Sequence, residues 1–489
     1  MRRLLAVLVV CGACLALATA VSGGPGATYA DVAPIFQSKC AGCHTVGGIA
    51  PFSLATASDA RAHAQLIKAM TQAHAMPPWP PGPDSRPFVG QRNRRLTAHE
   101  LDLIASWVDD GARTGPRVAP PAKPSAPKGL VFEPRTAYMP RPQVGLDDYH
   151  CTLLEPKLSQ TRMVTAAHVL PGRPDIVHHV ILYELSAADL PAARAMNNAS
   201  GGNGWTCFGG PGVGDDDIDH GRWLGVWVPG KTNDAFPPGT GMSFAKGAAI
   251  VVQIHYNLIH HARPDRTRIS LEFAPAGASV KPLETKQYFA PIEVPCPAGV
   301  KNPLCKRAAA IAYLRKAYGA ESAATPNELL QFCGRALPAA AGLTTTCDRR
   351  LDGATTIYAV AGHMHVRGVD IRVELNPGPR GTTLLHIPAW NFRWQDFYAL
   401  QTPVAAAAGS VVRVTCTYDN SAANQPVIGT KRLAPRYVLW GEGTTDEMCL
   451  GVLQTSEGYA ANATRSPQSL KSLPVGLAVR RRLFCPVIG

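Results

Sequence analysis

Apolar residues along the chain follow two different patterns. Between residues 29 and 112 they recur at helical spacing, as in YADVAPIFQSKCAGCH and in LTAHELDLIASWVDDGA, where Leu101, Ile104 and Val108 share one face. Thr97 and Glu100 stand at capping-box spacing and mark the start of that second helix. From residue 131 the texture changes to short β-branched runs broken by Gly/Pro-rich turns: DIVHHVILYEL, AAIVVQIHYNL, VDIRVEL, SVVRVTCTY and RYVLWGEG. Strands at this spacing, with no regular helices between them, predict β-sandwiches, and about 330 residues are too many for one. Residues 292–347 read as partly helical and carry Cys296, Cys305, Cys333 and Cys347.

The expected order is a signal peptide over 1–20, a helical unit over 27–114 and a Pro/Ala-rich linker over 115–130. A first sandwich follows over 131–285, then a Cys-containing connection over 286–350, a second sandwich over 351–462 and a tail over 463–489. The fold class is therefore multidomain, a small all-α unit followed by two all-β, jelly-roll-like sandwiches. Arg2 and Arg3, the apolar run behind them and Ala18-Thr19-Ala20 form an export signal cleaved after Ala20, which implies a periplasmic or secreted protein. Neither Cys11 nor Cys14 has the flanking residues that lipidation needs. No later run approaches the roughly 20 apolar residues of a membrane span, so stable membrane insertion is not expected.

Composition is that of an ordinary globular chain, 46% hydrophobic and 17% charged. The net charge of +13 is spread along the sequence, and basic and aromatic residues are not interleaved on one element, which argues against a nucleic-acid partner. Of 13 cysteines, two lie in the signal and two in a C-x-x-C-H motif. The remaining nine, in an oxidising compartment, predict several disulfides and at least one odd thiol. GGPGVG (209–214) follows no clean strand and is not read as a phosphate loop.

Cys40-Ala41-Gly42-Cys43-His44 carries the first chemistry. Two thiols three positions apart, followed at once by an imidazole, fit covalent haem attachment, with His44 as the proximal iron ligand. Met76, in the proline-stiffened MPPW, is the expected sixth ligand; Met70 competes, with His63 and His74 behind it. Over residues 29–112 the chain is similar to a small class I cytochrome c.

Histidines on strands carry the second. Residues i and i+2 of a strand share a face, so His363 and His365 can reach one metal while Met364 points away. The doublet His178-His179 can do so only if the strand is irregular there or if different ring nitrogens coordinate. His255 lies on a third strand.

In order, VHHVILYEL, VVQIHYN, GHMHVRG, TCTYDN and GEGTTDEMC resemble the copper type II, ascorbate-dependent monooxygenases, the family of peptidylglycine α-hydroxylating and dopamine β-monooxygenase, over residues 135–460. The resemblance implies two copper ions, one on His178, His179 and His255, the other on His363, His365 and the thioether of Met448. It also implies a Cys416–Cys449 disulfide, O2 and a small molecule as substrates, and catalysis at the Met448 copper. The two centres are expected to face each other across a gap.

Two departures narrow the substrate. The peptide-processing member has an arginine two positions before H-x-H and a tyrosine four after the ligand methionine; here those positions hold Ala361 and Val452. The expected activity is hydroxylation of an activated C–H bond in a small, fairly apolar substrate. Electrons would come through the fused haem c from a periplasmic or respiratory donor. The rival from another class is a non-enzymatic electron-transfer or copper-handling protein. The aromatic run PAWNFRWQDFY (388–398) reads first as core packing and second as pocket lining.

Overall fold

The computed structural model describes residues 26–457, apart from 47–49, 120–127, 144–145, 209, 214–222, 229–230, 232–234, 259–260, 338–339 and 429. The signal peptide, much of the linker, the acidic run after GGPGVG, the tail and Cys485 lie outside the described residues.

The helical segment packs Tyr29–Lys39, Ala64–Gln72 and Ala98–Asp109 around a core of their own. The last helix starts on the expected capping box: Thr97 Oγ1 accepts from Glu100 N, and Glu100 Oε2 accepts from Thr97 N. Each such bond satisfies a donor that the helix start would otherwise leave open. Ile104 and Val108 are buried with Trp107, whose ring meets Phe36 edge-on at 5.8 Å.

Two β-sandwiches follow. In the first, the five-stranded sheet Trp205–Thr206, Asp147–Leu154, Ala249–Asn257, Val177–Leu185, Trp223–Trp227, in that spatial order, faces a second five-stranded sheet built on Arg268–Phe273 and Arg162–Leu170. Val180, Leu182, Ile250 and Ile254 from one sheet meet Phe244, Ile269 and Leu271 from the other. In the second, Glu284–Phe289, Leu450–Glu457, Thr355–His363 and Tyr398–Ala406 form one sheet; Thr344–Arg350, Val411–Tyr418, Gly368–Leu375 and Thr382–Ile387 form the other. Strand pairing thus draws into the second sandwich two strands that lie before its expected start at 351. TTTCDRR shows no apolar alternation because its buried positions are Thr345, whose hydroxyl donates to Pro291 O, and the disulfide-bonded Cys347. The connection is partly helical, at Arg307–Tyr318 and Ala320–Phe332.

Residues 82–89 dock on the second sandwich. Val89 N donates to Ala399 O at 2.8 Å and Gln401 N to Pro87 O at 2.8 Å, while Gly82 N donates to His386 O at 2.7 Å. Tyr398–Ala406 and Thr382–Ile387 are edge strands of the two sheets. Open ladder groups at such edges are costly and aggregation-prone, and this segment covers some of them. Trp79 and Phe88 pack into the second sandwich's core, with Trp79 5.6 Å from the Tyr398 ring.

Four disulfides, Cys151–Cys207, Cys296–Cys305, Cys333–Cys347 and Cys416–Cys449, suit a chain that folds in an oxidising, extracytoplasmic compartment. Cys40 and Cys43 are the free thiols among the described residues. No helix among those residues is long and apolar enough to cross a membrane.

Candidate active site

The His178 strand pairs with the His255 strand, with His179 opposite His255 and Val177 opposite Tyr256. One residue, His178, is therefore extra on its strand. This bulge breaks the alternation that would send adjacent side chains to opposite faces. Both rings of the doublet then turn the same way, and they present the same nitrogen: Nδ1 of His178 and His179 lie 3.2 Å apart, and Nδ1 of His255 lies 3.4 Å from that of His179. All three rings offer a ligand atom within 4.8 Å of one another.

Asp147 fixes the tautomer of His255. Burial pushes its carboxyl up, but the hydrogen bond and charge of His255 and the N–H and O–H of Thr444 outweigh that and hold it at about 2. The carboxylate accepts from Nε2 of His255 at 3.0 Å, so Nδ1 keeps its lone pair for a metal. Burial, reinforced by neighbouring rings, holds His178 and His179 well below the usual imidazole range. The rings are neutral at physiological pH, the form in which imidazole binds a metal.

The second set stands on the neighbouring sandwich. His363 ends its strand opposite Leu450, two residues beyond Met448. Gln395 Nε2 donates to Phe392 O, so Gln395 Oε1 is the acceptor in its 2.6 Å contact with His363 Nδ1. The proton sits on Nδ1, and Nε2 of His363 is left with a lone pair. His365 is 3% exposed, and its Nδ1 has no hydrogen-bond partner. A buried imidazole nitrogen rarely goes unpaired without a ligand to accept. Burial holds His363 at about 4 and His365 well below the ordinary range. Glu447, buried and pushed up to about 7, accepts from the backbone N–H of His365 and of Arg367 and thereby fixes the turn after His363. Met364 is fully buried in the core, away from this set. The disulfide joins Cys449, next to Met448, to the Val411–Tyr418 strand.

The two sets adjoin instead of facing across an open gap. His179 and His363 ring centroids are 6.4 Å apart. Phe392 stacks on His178 at 4.4 Å and meets His365 at 5.7 Å, bridging the two sets on one side. The run 388–398 is thus more than core: Trp390 donates to His365 O, Phe392 touches both sets and Gln395 holds His363. Asp147, Gln395 and Glu447 are absent from the sequence reading. Only Glu447 adjoins one of the motifs, beside Met448 in TTDEMC.

A cavity of about 810 Å³ is lined by His179, His363, His365 and Met448. Ala361 and Val452, also on its wall, are cross-strand partners. Ile181, Val226, Phe289 and Leu450 continue the apolar surface.

In the helical segment, Cys40 and Cys43 lie one turn apart, with His44 N donating to Cys40 O. Burial raises both thiols, Cys40 to about 12. His44 Nδ1 donates to Phe52 O at 3.0 Å, which leaves Nε2 free to bind a metal. His63 stacks on Phe52 at 3.9 Å, on the His44 side of the segment, and His74 is exposed. Met70 and Met76 are both half-buried and joined by the bond from Met76 N to Met70 O.

Residues 336–454 match the family model described as copper type II ascorbate-dependent monooxygenase, C-terminal domain. No curated protein matches the chain. Among solved structures, a Paenibacillus xanthan lyase aligns at 10% identity and a TM-score of 0.15, over 66% of this chain and 24% of that one. Latent PorU from Porphyromonas gingivalis aligns at 10% identity and 0.14, over 63% and 24%. Procruciferin from Brassica napus aligns at 9% and 0.11, over 67% and 84%. This chain therefore spans about a quarter of the length of the first two, and overlaps this weak carry no argument about fold or function.

Proposed function

We propose that this chain, whose residues 336–454 match the copper monooxygenase C-terminal domain, is an exported enzyme that hydroxylates an activated C–H bond of a small, fairly apolar substrate. One oxygen atom of O2 enters the substrate and the other leaves as water, so each turnover takes two electrons and two protons. His178, His179 and His255 would hold one copper through Nδ1; His363, His365 and Met448 would hold a second, with the thioether favouring the cuprous state. Copper so bound supplies one-electron chemistry and O2 activation, and a haem c on Cys40, Cys43 and His44, with Met76 as sixth ligand, supplies electrons from a periplasmic or respiratory donor.

The remaining steps belong to the chain's own residues. Asp147 and Gln395 each hold a ligand ring in one tautomer. Ala361, Val452 and their apolar neighbours bind substrate by excluding water, and where the peptide-processing enzymes carry an arginine this wall carries an alanine, while Lys231 lies elsewhere on the same cavity. Phe392 keeps the two histidine sets apart from bulk solvent on one side.

The observation that carries this reading is the shared cavity, in which both histidine sets and Met448 meet an apolar wall. The test is oxygen uptake by copper-loaded protein against a panel of small apolar compounds, with labelled O2 traced into product. Uptake that requires both copper and substrate, with one labelled atom in the product, supports the proposal. Copper loading without substrate-dependent uptake would leave only a carrier.

A further inference from the structure

We propose that the helical segment delivers its electrons to the His363/His365/Met448 centre, through Lys39, Arg95, Arg94, Asp396 and Gln395, and not to the three-histidine centre. The inference rests on the haem reading above and adds to it an entry point and a route. Electron tunnelling weakens more slowly along covalent and hydrogen bonds than across van der Waals gaps, so an unbroken bonded chain between two redox sites outcompetes a contact path of similar length.

Such a chain exists. Lys39, covalently next to Cys40, donates from Nζ to Arg95 O at 2.7 Å. Arg94, the preceding residue, donates from Nη1 to Asp396 Oδ2 at 2.6 Å. Asp396 follows Gln395 in sequence, and Gln395 Oε1 accepts from His363 Nδ1 at 2.6 Å. Three hydrogen bonds and the intervening backbone thus join a haem-attachment cysteine to a copper-ligand histidine. The link is sheltered: the Asp396 side chain is 9% exposed and that of Lys39 10%. Arg94 also lies over the Trp79 ring at 5.4 Å, and Trp79, three residues after Met76, packs on Tyr398. The sixth-ligand side of the segment is therefore seated on the same strand end. The three-histidine centre lies one stage beyond His363, reached by ring contact of His363 with His179 at 6.4 Å, through Phe392, or along the bonds from His365 through Glu447 and Thr444 to Asp147 and His255.

In the step itself one electron leaves ferrous haem and converts cupric to cuprous copper at the His363 centre, leaving ferric haem; no bond or proton changes place. The external one-electron donor then restores ferrous haem.

The test uses the full chain with haem and both coppers oxidised. The haem is reduced by a flash in the absence of oxygen, and its reoxidation is followed in its visible band. Copper content and haem midpoint potential are measured alongside. His255→Ala should keep the fast reoxidation and His363→Ala should lose it. Arg94→Gln should slow it by about tenfold, with potential and copper content unchanged, the scale of a modest rise in barrier. If Arg94→Gln disturbs docking and shifts the potential, the pair of histidine variants decides alone. Wild-type rates in Arg94→Gln at unchanged potential, or a fast phase lost in His255→Ala and kept in His363→Ala, overturn the route while leaving the haem reading intact. A wild-type haem that stays reduced beside oxidised copper overturns the haem reading, and the route with it.

Discussion

The two histidine sets are built on similar strands yet differ in what surrounds them. The set at 178, 179 and 255 is closed in the sense that all three rings stand on two paired strands of one sheet: a bulge aims three Nδ1 atoms at one point, Asp147 locks a ring from behind, and Tyr149 stacks on His255 at 4.2 Å. The set at 363 and 365 is open. Its proposed third donor, Met448, comes from the loop just before the Leu450–Glu457 strand, and the set shares the cavity wall with Ala361 and Val452. An all-imidazole donor set suits a metal that cycles electrons, whereas one softened by a thioether suits a metal that meets O2 and substrate. On the proposed reading, the difference between storing an electron and spending it lies in the donors of each set and not in enclosure, since His179 lines the same cavity as His363 and His365.

The hardest way to break the comparison is to remove a ligand from each side. His255→Ala and His363→Ala are each expected to abolish hydroxylation and to lower copper content by one ion per chain, read by elemental analysis. Next in size, replacing Cys416 and Cys449 together by alanine should destabilise the second sandwich by about 3–4 kcal/mol, the loop-closure value for their separation of 33 residues. Denaturant unfolding checks this, and the open centre should lose copper before the closed one does. Smaller effects should follow from the supporting side chains. Asp147→Asn should weaken copper at the closed centre, and Gln395→Leu at the open one, each by roughly 10–100-fold, with the other centre unchanged in a competitive chelator titration. The smallest is Val452→Tyr, which should cost about tenfold in kcat/KM for an apolar substrate while leaving both coppers in place.

Much of this was legible in the sequence, and the limits have physical causes. Thr97 and Glu100 announced a helix start because capping chemistry is local. His363 and His365 line one cavity as their i, i+2 spacing suggests, although the strand ends at His363 and Glu447 holds His365 through its backbone N–H. The doublet at 178 left two possibilities open; the bulge that settles its direction depends on which residue of the His255 strand stands opposite, and no local pattern records that. Gln395 and Asp147 reach their histidines across 32 and 108 positions, so nothing near the motifs marks them. The docking of residues 82–89 has no local signal either, because their partners are backbone groups of edge strands some 300 residues away.

The central claim is two separate copper centres, one closed and one open. Copper content with electron paramagnetic resonance of oxidised wild type, His255→Ala and Met448→Ala tests it most directly. Two ions per chain are expected in the wild type. His255→Ala should lose one cupric signal, and Met448→Ala should weaken or lose the other. A single copper in the wild type, or the same signal disappearing from both variants, would contradict it.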